Sequence, residues 1–259
     1  MAKPAWKKFP HADKAFAYAG AALKKNWERL HRGDCEPFPA DAAVQEAWRL
    51  YHRGEFNKAC EAGLAAGFDG YNAANKAAMI HATFLEDDEQ RKLDLFQSVS
   101  ARCEELQRMQ PRNVNAWYFQ AYALGRYSQG ISVLTALTQD LGGRTKAALE
   151  AALKLEPKHA EAHTALGAYH AEVVDKVGAL IGKLTYGASK QLAVQHFESA
   201  LELAPESAIA RIEFANALVM LFGQSKMEQA VKLYEKAAAA TPVDAMEKLD
   251  VELAKSELD

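Results

Sequence analysis

Three stretches decide the fold: TKAALEAALKLEP (residues 145–157), AVQHFESALELAP (193–205) and AVKLYEKAAAATP (230–242). Each ends in proline. Twelve, eight and five positions before it stand Thr145, Leu149 and Ala152; Ala193, Phe197 and Ala200; and Ala230, Tyr234 and Ala237. Spacings of four and three keep such positions on one helix face. Each stretch therefore predicts a helix with a small–large–small stripe, stopped where proline cannot continue it. Val99, Cys103 and Leu106 before Pro111 form a degenerate fourth copy. Small residues on either side of a large one let a neighbouring helix come close, and repetition of one pattern along a chain predicts stacked helical units.

This pattern resembles the second helix of the tetratricopeptide repeat (TPR). The first helices agree: Trp117 follows Pro111, Leu166-Gly167 follow Pro157 and Phe214-Ala215 follow Pro205 at the family's positions. Ala47, Leu50, Gly54, Phe56 and Ala59 match the turn of an earlier repeat. The resemblance spans residues 40–243 and implies an all-α, right-handed TPR-type solenoid of about twelve helices. The prolines step by 46, 48 and 37 residues from Pro111 to Pro242, against about 34 in the family. Two repeats thus carry insertions, read as prolonged first helices broken or bent near Gly130, Gly178 and Gly182. Val173-Val174 and Ala179-Leu180-Ile181 are too apolar for solvated loops, and are expected to pack inward or to bind something. Leu166-Gly167, Tyr186-Gly187-Ala188 and the Ala193, Phe197, Ala200, Pro205 series also resemble, more weakly, the regulator of microtubule dynamics family and the T-component of TRAP transporters.

The ends depart from the repeat. Residues 1–39 are rich in lysine and arginine and are read as a basic N-terminal helix and linker, with Glu36-Pro37-Phe38-Pro39 extended. The apolar run from Ala15 to Leu23 continues into Trp27 and Leu30 and reads as one amphipathic helix closed by Gly33, not as a secretory leader. Residues 244–259 read as an acidic capping helix, with Asp244 and Glu247 at its N-terminus.

Composition narrows the function. The chain is 49% hydrophobic and 25% charged, with a net charge of −3 and only 15 glycines and 8 prolines. That excludes a disordered chain and gives no overall pull toward nucleic acid. No apolar run approaches the ~20 residues of a membrane span. Cys35, Cys60 and Cys103 are widely spaced, so a reducing, cytoplasmic compartment is expected. Gly178-Ala-Leu-Ile-Gly182-Lys183 is one residue short of a phosphate loop and follows no strand. His159, His163 and His170 could share a helix face but fix no complete ligand set. His31 and His52, each shortly before a glycine, read as helix-end caps. No metal, no cofactor and no catalytic residue are expected, and the chain reads as a non-enzyme.

The TPR resemblance assigns a concave groove lined by first helices. Its positions here are Asn115, Tyr118, Tyr122 and Arg126; Glu161, Thr164, Ala168 and Glu172; and Ile209, Ile212, Asn216 and Met220. Asn115, Tyr118, Tyr122, Arg126, Glu161, Thr164, Glu172 and Asn216 are the candidate partner-binding residues. Tyr and Arg offer rigid contact area and directional hydrogen bonds, although Tyr118 and Tyr122 could instead pack on the inserted helices. The family's Lys/Arg/Asn carboxylate clamp is not expected, because acids and apolar residues stand at the aligned positions. The expected function is a protein-interaction scaffold that holds a partner's peptide or helix in the groove. The alternative is a small-molecule carrier or sensor with an apolar pocket closed by the inserts.

Overall fold

The computed structural model describes residues 6–258. Among them it shows fourteen α-helices and no strand. They are α1 (Ala22–Leu30), α2 (Ala42–His52), α3 (Phe56–Ala65), α4 (Tyr71–Phe84), α5 (Glu89–Met109), α6 (Val114–Gln129), α7 (Val133–Thr138), α8 (Leu141–Leu155), α9 (Ala160–Val177), α10 (Ala179–Tyr186), α11 (Lys190–Leu203), α12 (Ala208–Phe222), α13 (Met227–Ala238) and α14 (Ala245–Ser256). Punctuation follows side-chain chemistry. Asp41, Asp88, Asn113, Ser132, Ser189 and Ser207 each accept a backbone N–H at the start of a helix, satisfying donors the first turn leaves open. Helices α5, α8 and α11 stop shortly before Pro111, Pro157 and Pro205.

The chain divides into two compact units. The first holds residues 6–30, 36–151 and 243–246; the second holds 31–35, 152–242 and 247–258. In the first, α2 packs on α3, α3 on α4, α4 on α5 and α5 on α6, and the first helices α2, α4 and α6 also touch in order. Val99, Cys103 and Leu106 are fully buried, so the degenerate copy of the stripe packs as the others do.

The N-terminal segment shares this core. The apolar run from Ala15 is not one helix: Gly20 takes φ +56 and α1 starts only at Ala22. Leu23, Trp27 and Leu30 are buried. The Trp27 indole meets Trp48 edge-on at 5.9 Å and Phe38 at 5.1 Å, and its Nε1 donates to the Glu36 carbonyl at 2.7 Å. Phe9 lies across Gly54, where φ is +85 and a Cβ would stand 2.4 Å from the ring; only glycine meets both conditions. The repeats alone do not supply the core of this unit.

In the second unit α9 packs on α11, α11 on α12 and α12 on α13, and the first helices α9 and α12 touch. Ala193, Phe197 and Ala200 are fully buried, and Phe197 stacks on Phe214 at 5.1 Å with the rings 12° apart. A Cβ on Gly167 would stand 2.9 Å from the Phe197 ring. The glycine of the Leu-Gly pair is therefore the space into which the large residue of the stripe fits.

The insertions are separate short helices. α6 ends at Gly130 and α7 follows; α9 ends at Gly178, at φ +82, and α10 follows. Gly182 lies inside α10 and breaks nothing. Val174 is buried, but Leu180, Ile181 and Leu184 on α10, like Val133, Leu134 and Leu137 on α7, are each more than half exposed.

Candidate interaction surface

The first-helix face of the first unit starts with polar residues deep in an alanine-rich setting. Asn72 and Lys76 on α4 and Asn115 on α6 are buried. The two asparagines face the carboxylate of Glu36, itself buried, which accepts from Asn72 Nδ2 at 2.8 Å and from Asn115 Nδ2 at 2.6 Å. Asn72 Nδ2 also meets Asn113 Oδ1 at 3.1 Å. The Lys76 ammonium lies over the Tyr51 ring, 6.0 Å from its centre. Two amide donors lower the cost of burying the carboxylate. The extended Glu-Pro segment thus delivers a side chain onto the face where a partner is expected.

Further along α6 the face opens. Tyr118 is buried, whereas Tyr122 and Arg126 are half-buried. The Tyr122 hydroxyl pairs with Thr83 Oγ1 at 2.8 Å, and the Arg126 guanidinium lies 5.4 Å from the centre of the Tyr122 ring. That cation–ring contact and the ring of Phe96 at 6.5 Å hold the tyrosine in place. Beside them is an open cavity of about 200 Å³ lined by Ala82, Thr83, Leu93, Phe96, Arg126 and Gly130. Asn115, Tyr118, Tyr122 and Arg126 therefore share one face of α6, as their spacing predicts, but only its C-terminal half is open.

In the second unit the candidate residues sit apart in role. Glu161 opens α9; its backbone N–H donates to the Gly33 carbonyl at 2.9 Å, and its side chain fills the space beside Gly33. Thr164 is buried and bonds back to the Ala160 carbonyl at 3.1 Å. Glu172 pairs with Lys176 at 3.3 Å, and exposed Asn216 accepts from the Tyr234 hydroxyl at 2.6 Å. Arg32 pairs with Glu206 at 2.8 Å.

Sequence reasoning missed Glu36, Asn72 and Lys76. The available signal was the set of polar residues, Asn72, Asn75, Lys76 and His81, inside an otherwise apolar α4. The histidines also differ from expectation in detail. His31 is buried against Asp34 at 2.9 Å, and His52, in the last turn of α2, meets Asp244 at 2.8 Å. His159 caps α9, its Nδ1 accepting from the Ala162 N–H at 3.0 Å. His163 turns to His196 on α11, with the two Nδ1 atoms 3.0 Å apart.

Burial, and then the neighbouring His163, push His196 down to about 4. An unfolded histidine titrates near ~6.5, so between those values the unfolded chain binds the extra proton. Stability is thus expected to fall as pH drops from about 6.5 to about 4. Thermal melts of the wild type and of His196→Gln across that range check it. The substitution should flatten the slope, and an unchanged slope would contradict this origin.

Among the described residues no helix is long and apolar enough to cross a membrane. No curated protein matches the chain. The thermophilic TPR protein TTC0263 of Thermus thermophilus superposes with a TM-score of 0.58 at 17% identity, covering 83% of this chain and 97% of that one. This likeness shows an all-α, TPR-type fold. YrrB, a TPR protein with an unusual peptide-binding site, gives a TM-score of 0.39 at 15% identity over 93% of this chain and 99% of that one. The family model for regulator of microtubule dynamics proteins 1–3 matches residues 69–258. The match runs from just before α4 through α14, most of the repeat array, and the chain belongs to that family.

Proposed function

We propose that the chain is a non-enzymatic, cytoplasmic protein-interaction scaffold that binds a peptide or helix of a partner on the first-helix face of its first unit. The contact lies at the open C-terminal half of α6, where Arg126 lines the cavity and Tyr122 packs against Arg126, Thr83 and Phe96 of its lining. One observation carries this reading: along that face Asn115 and Tyr118 are covered, while Tyr122 and Arg126 remain partly open beside a recess of about 200 Å³. Small-molecule sites are commonly ~300–1,000 Å³, so the recess suits one partner side chain better than a whole ligand. In the second unit, Glu161, Glu172 and Asn216 are the candidate contact residues of that unit's own first helices, whereas Thr164 is buried.

The test is to measure Tyr122→Ala and Arg126→Ala twice, by thermal melt and by recovery of whatever full-length wild type retains from native extract. A contact Tyr or Arg can be worth ~2 kcal/mol or more on truncation. Arg126→Ala is expected to melt within a few degrees of wild type and to lose the partner. Tyr122→Ala gives up its hydrogen bond to Thr83 and is expected to lose some stability as well. A large fall in melting temperature for both variants with the partner retained would make this face structural.

A further inference from the structure

Unlike His31 and His52, which each meet an aspartate, His163 and His196 pair with each other, and no carboxylate takes part in the hydrogen bonds formed by either ring. His163 stands in the second turn of α9 and His196 in the middle of α11, two helices packed on each other within the second unit. Their Nδ1 atoms face each other at 3.0 Å, with ring centres 5.2 Å apart. His163 Nε2 lies 3.1 Å from the Pro157 carbonyl oxygen. A carbonyl only accepts, so Nε2 carries the His163 proton and the lone pair on Nδ1 points toward His196. The His170 ring stacks on His196 at 5.6 Å and 16°, which fixes its plane.

We propose that His163 and His196 form a two-imidazole binding site for a late first-row divalent cation such as zinc or nickel, bridging α9 and α11. In the metal-free chain one proton lies between the rings, donated by His196 Nδ1 to His163 Nδ1. When a cation enters, neutral His196 moves that proton to its own Nε2, and both Nδ1 lone pairs turn to the metal; no net proton is lost. The Pro157 carbonyl already supplies the outer support that a ligating histidine needs, holding the second ring nitrogen protonated. Tetrahedral ligands at ~2.0–2.1 Å set their nitrogens about 3.3 Å apart, so the pair has to open by only about 0.3 Å. Neither side chain is fully buried, which leaves room for entry. Among the described residues no group of three His, Cys, Asp or Glu side chains converges, so water completes the coordination. Imidazole ligands select zinc, copper or nickel over magnesium and calcium, which require oxygen.

The sequence offers His159, His163 and His170 along one helix, a set that fixes no complete ligand shell, and no metal is expected from it. His159 is used as a cap, and the second ligand comes from α11, beyond the inserted α10.

The experiment uses the full-length chain, stripped of metal, at neutral pH. Equilibrium dialysis against zinc or nickel alone should retain one cation per chain, and the melting temperature should rise by about 2–4 °C. Magnesium should do neither. His163→Ala and His196→Ala should each abolish retention while circular dichroism shows the helices intact. His11→Ala, in the other unit, should bind as wild type does. If a variant is too unstable to assess, His163→Gln, read by the same dialysis, decides the matter. No retained cation, or equal retention after loss of either His163 or His196, would overturn the proposal.

Discussion

Trp27→Ala is expected to cost about 3–5 kcal/mol, the range for emptying a well-packed aromatic site. The reason is where the ring lies. Trp27 comes from a short N-terminal helix, yet only 7% of it is exposed. It is wedged between Trp48 and Phe38, and 6.3 Å from the His52 ring. Removing it leaves a cavity and takes the donor from the Glu36 carbonyl. It also loosens the segment that carries Glu36 onto Asn72 and Asn115. Trp27→Phe keeps most of the apolar contact and loses the N–H, so it should cost about 1 kcal/mol. Chemical denaturation of both variants checks the order. Wild-type stability in Trp27→Ala would mean that the N-terminal segment lies outside the core.

Phe197→Ala is expected to be as damaging, again about 3–5 kcal/mol. Phe197 is the large member of the small–large–small stripe and is fully buried. Its ring stacks on Phe214 and lies directly over Gly167. Ala193 and Ala200 flank it with no bulk that could collapse into the hole, so α9, α11 and α12 all lose packing at one point. Phe197→Leu should cost less, because it retains apolar volume without the ring stack. A loss below about 1 kcal/mol for Phe197→Ala would show that the stripe does not hold these helices together.

The repeat was legible because its information is local. Proline, a small residue, a large one and another small one within thirteen positions specify a helix, its buried face and its end together. The ends of the insertions were legible for the same reason, since Gly130 and Gly178 close the helices before them. Where the inserted residues point was not. Leu180 and Ile181 are apolar enough to suggest burial, but α10 packs on α9 through Gly182 and turns those side chains outward.

The N-terminal segment was the least legible part, because its contacts are distant and polar. Glu36 meets Asn72 and Asn115 across 36 and 79 positions. Nothing in the Glu-Pro-Phe-Pro stretch marks a buried carboxylate. The site residues divide along the same line. Helical spacing placed Asn115, Tyr118, Tyr122 and Arg126 on one face, but could not show that Glu36 already engages its first member.

The central claim is that the open half of α6 meets a partner. It is tested most directly by placing a photoreactive benzoyl-phenylalanine at position 129, beside the recess, and in a second chain at position 232 on the exposed side of α13. Both are irradiated in the native cell. A partner adduct is predicted from position 129, absent from position 232 and lost when Tyr122→Ala is added. No adduct from position 129, or the same adducts from both positions, would contradict the account.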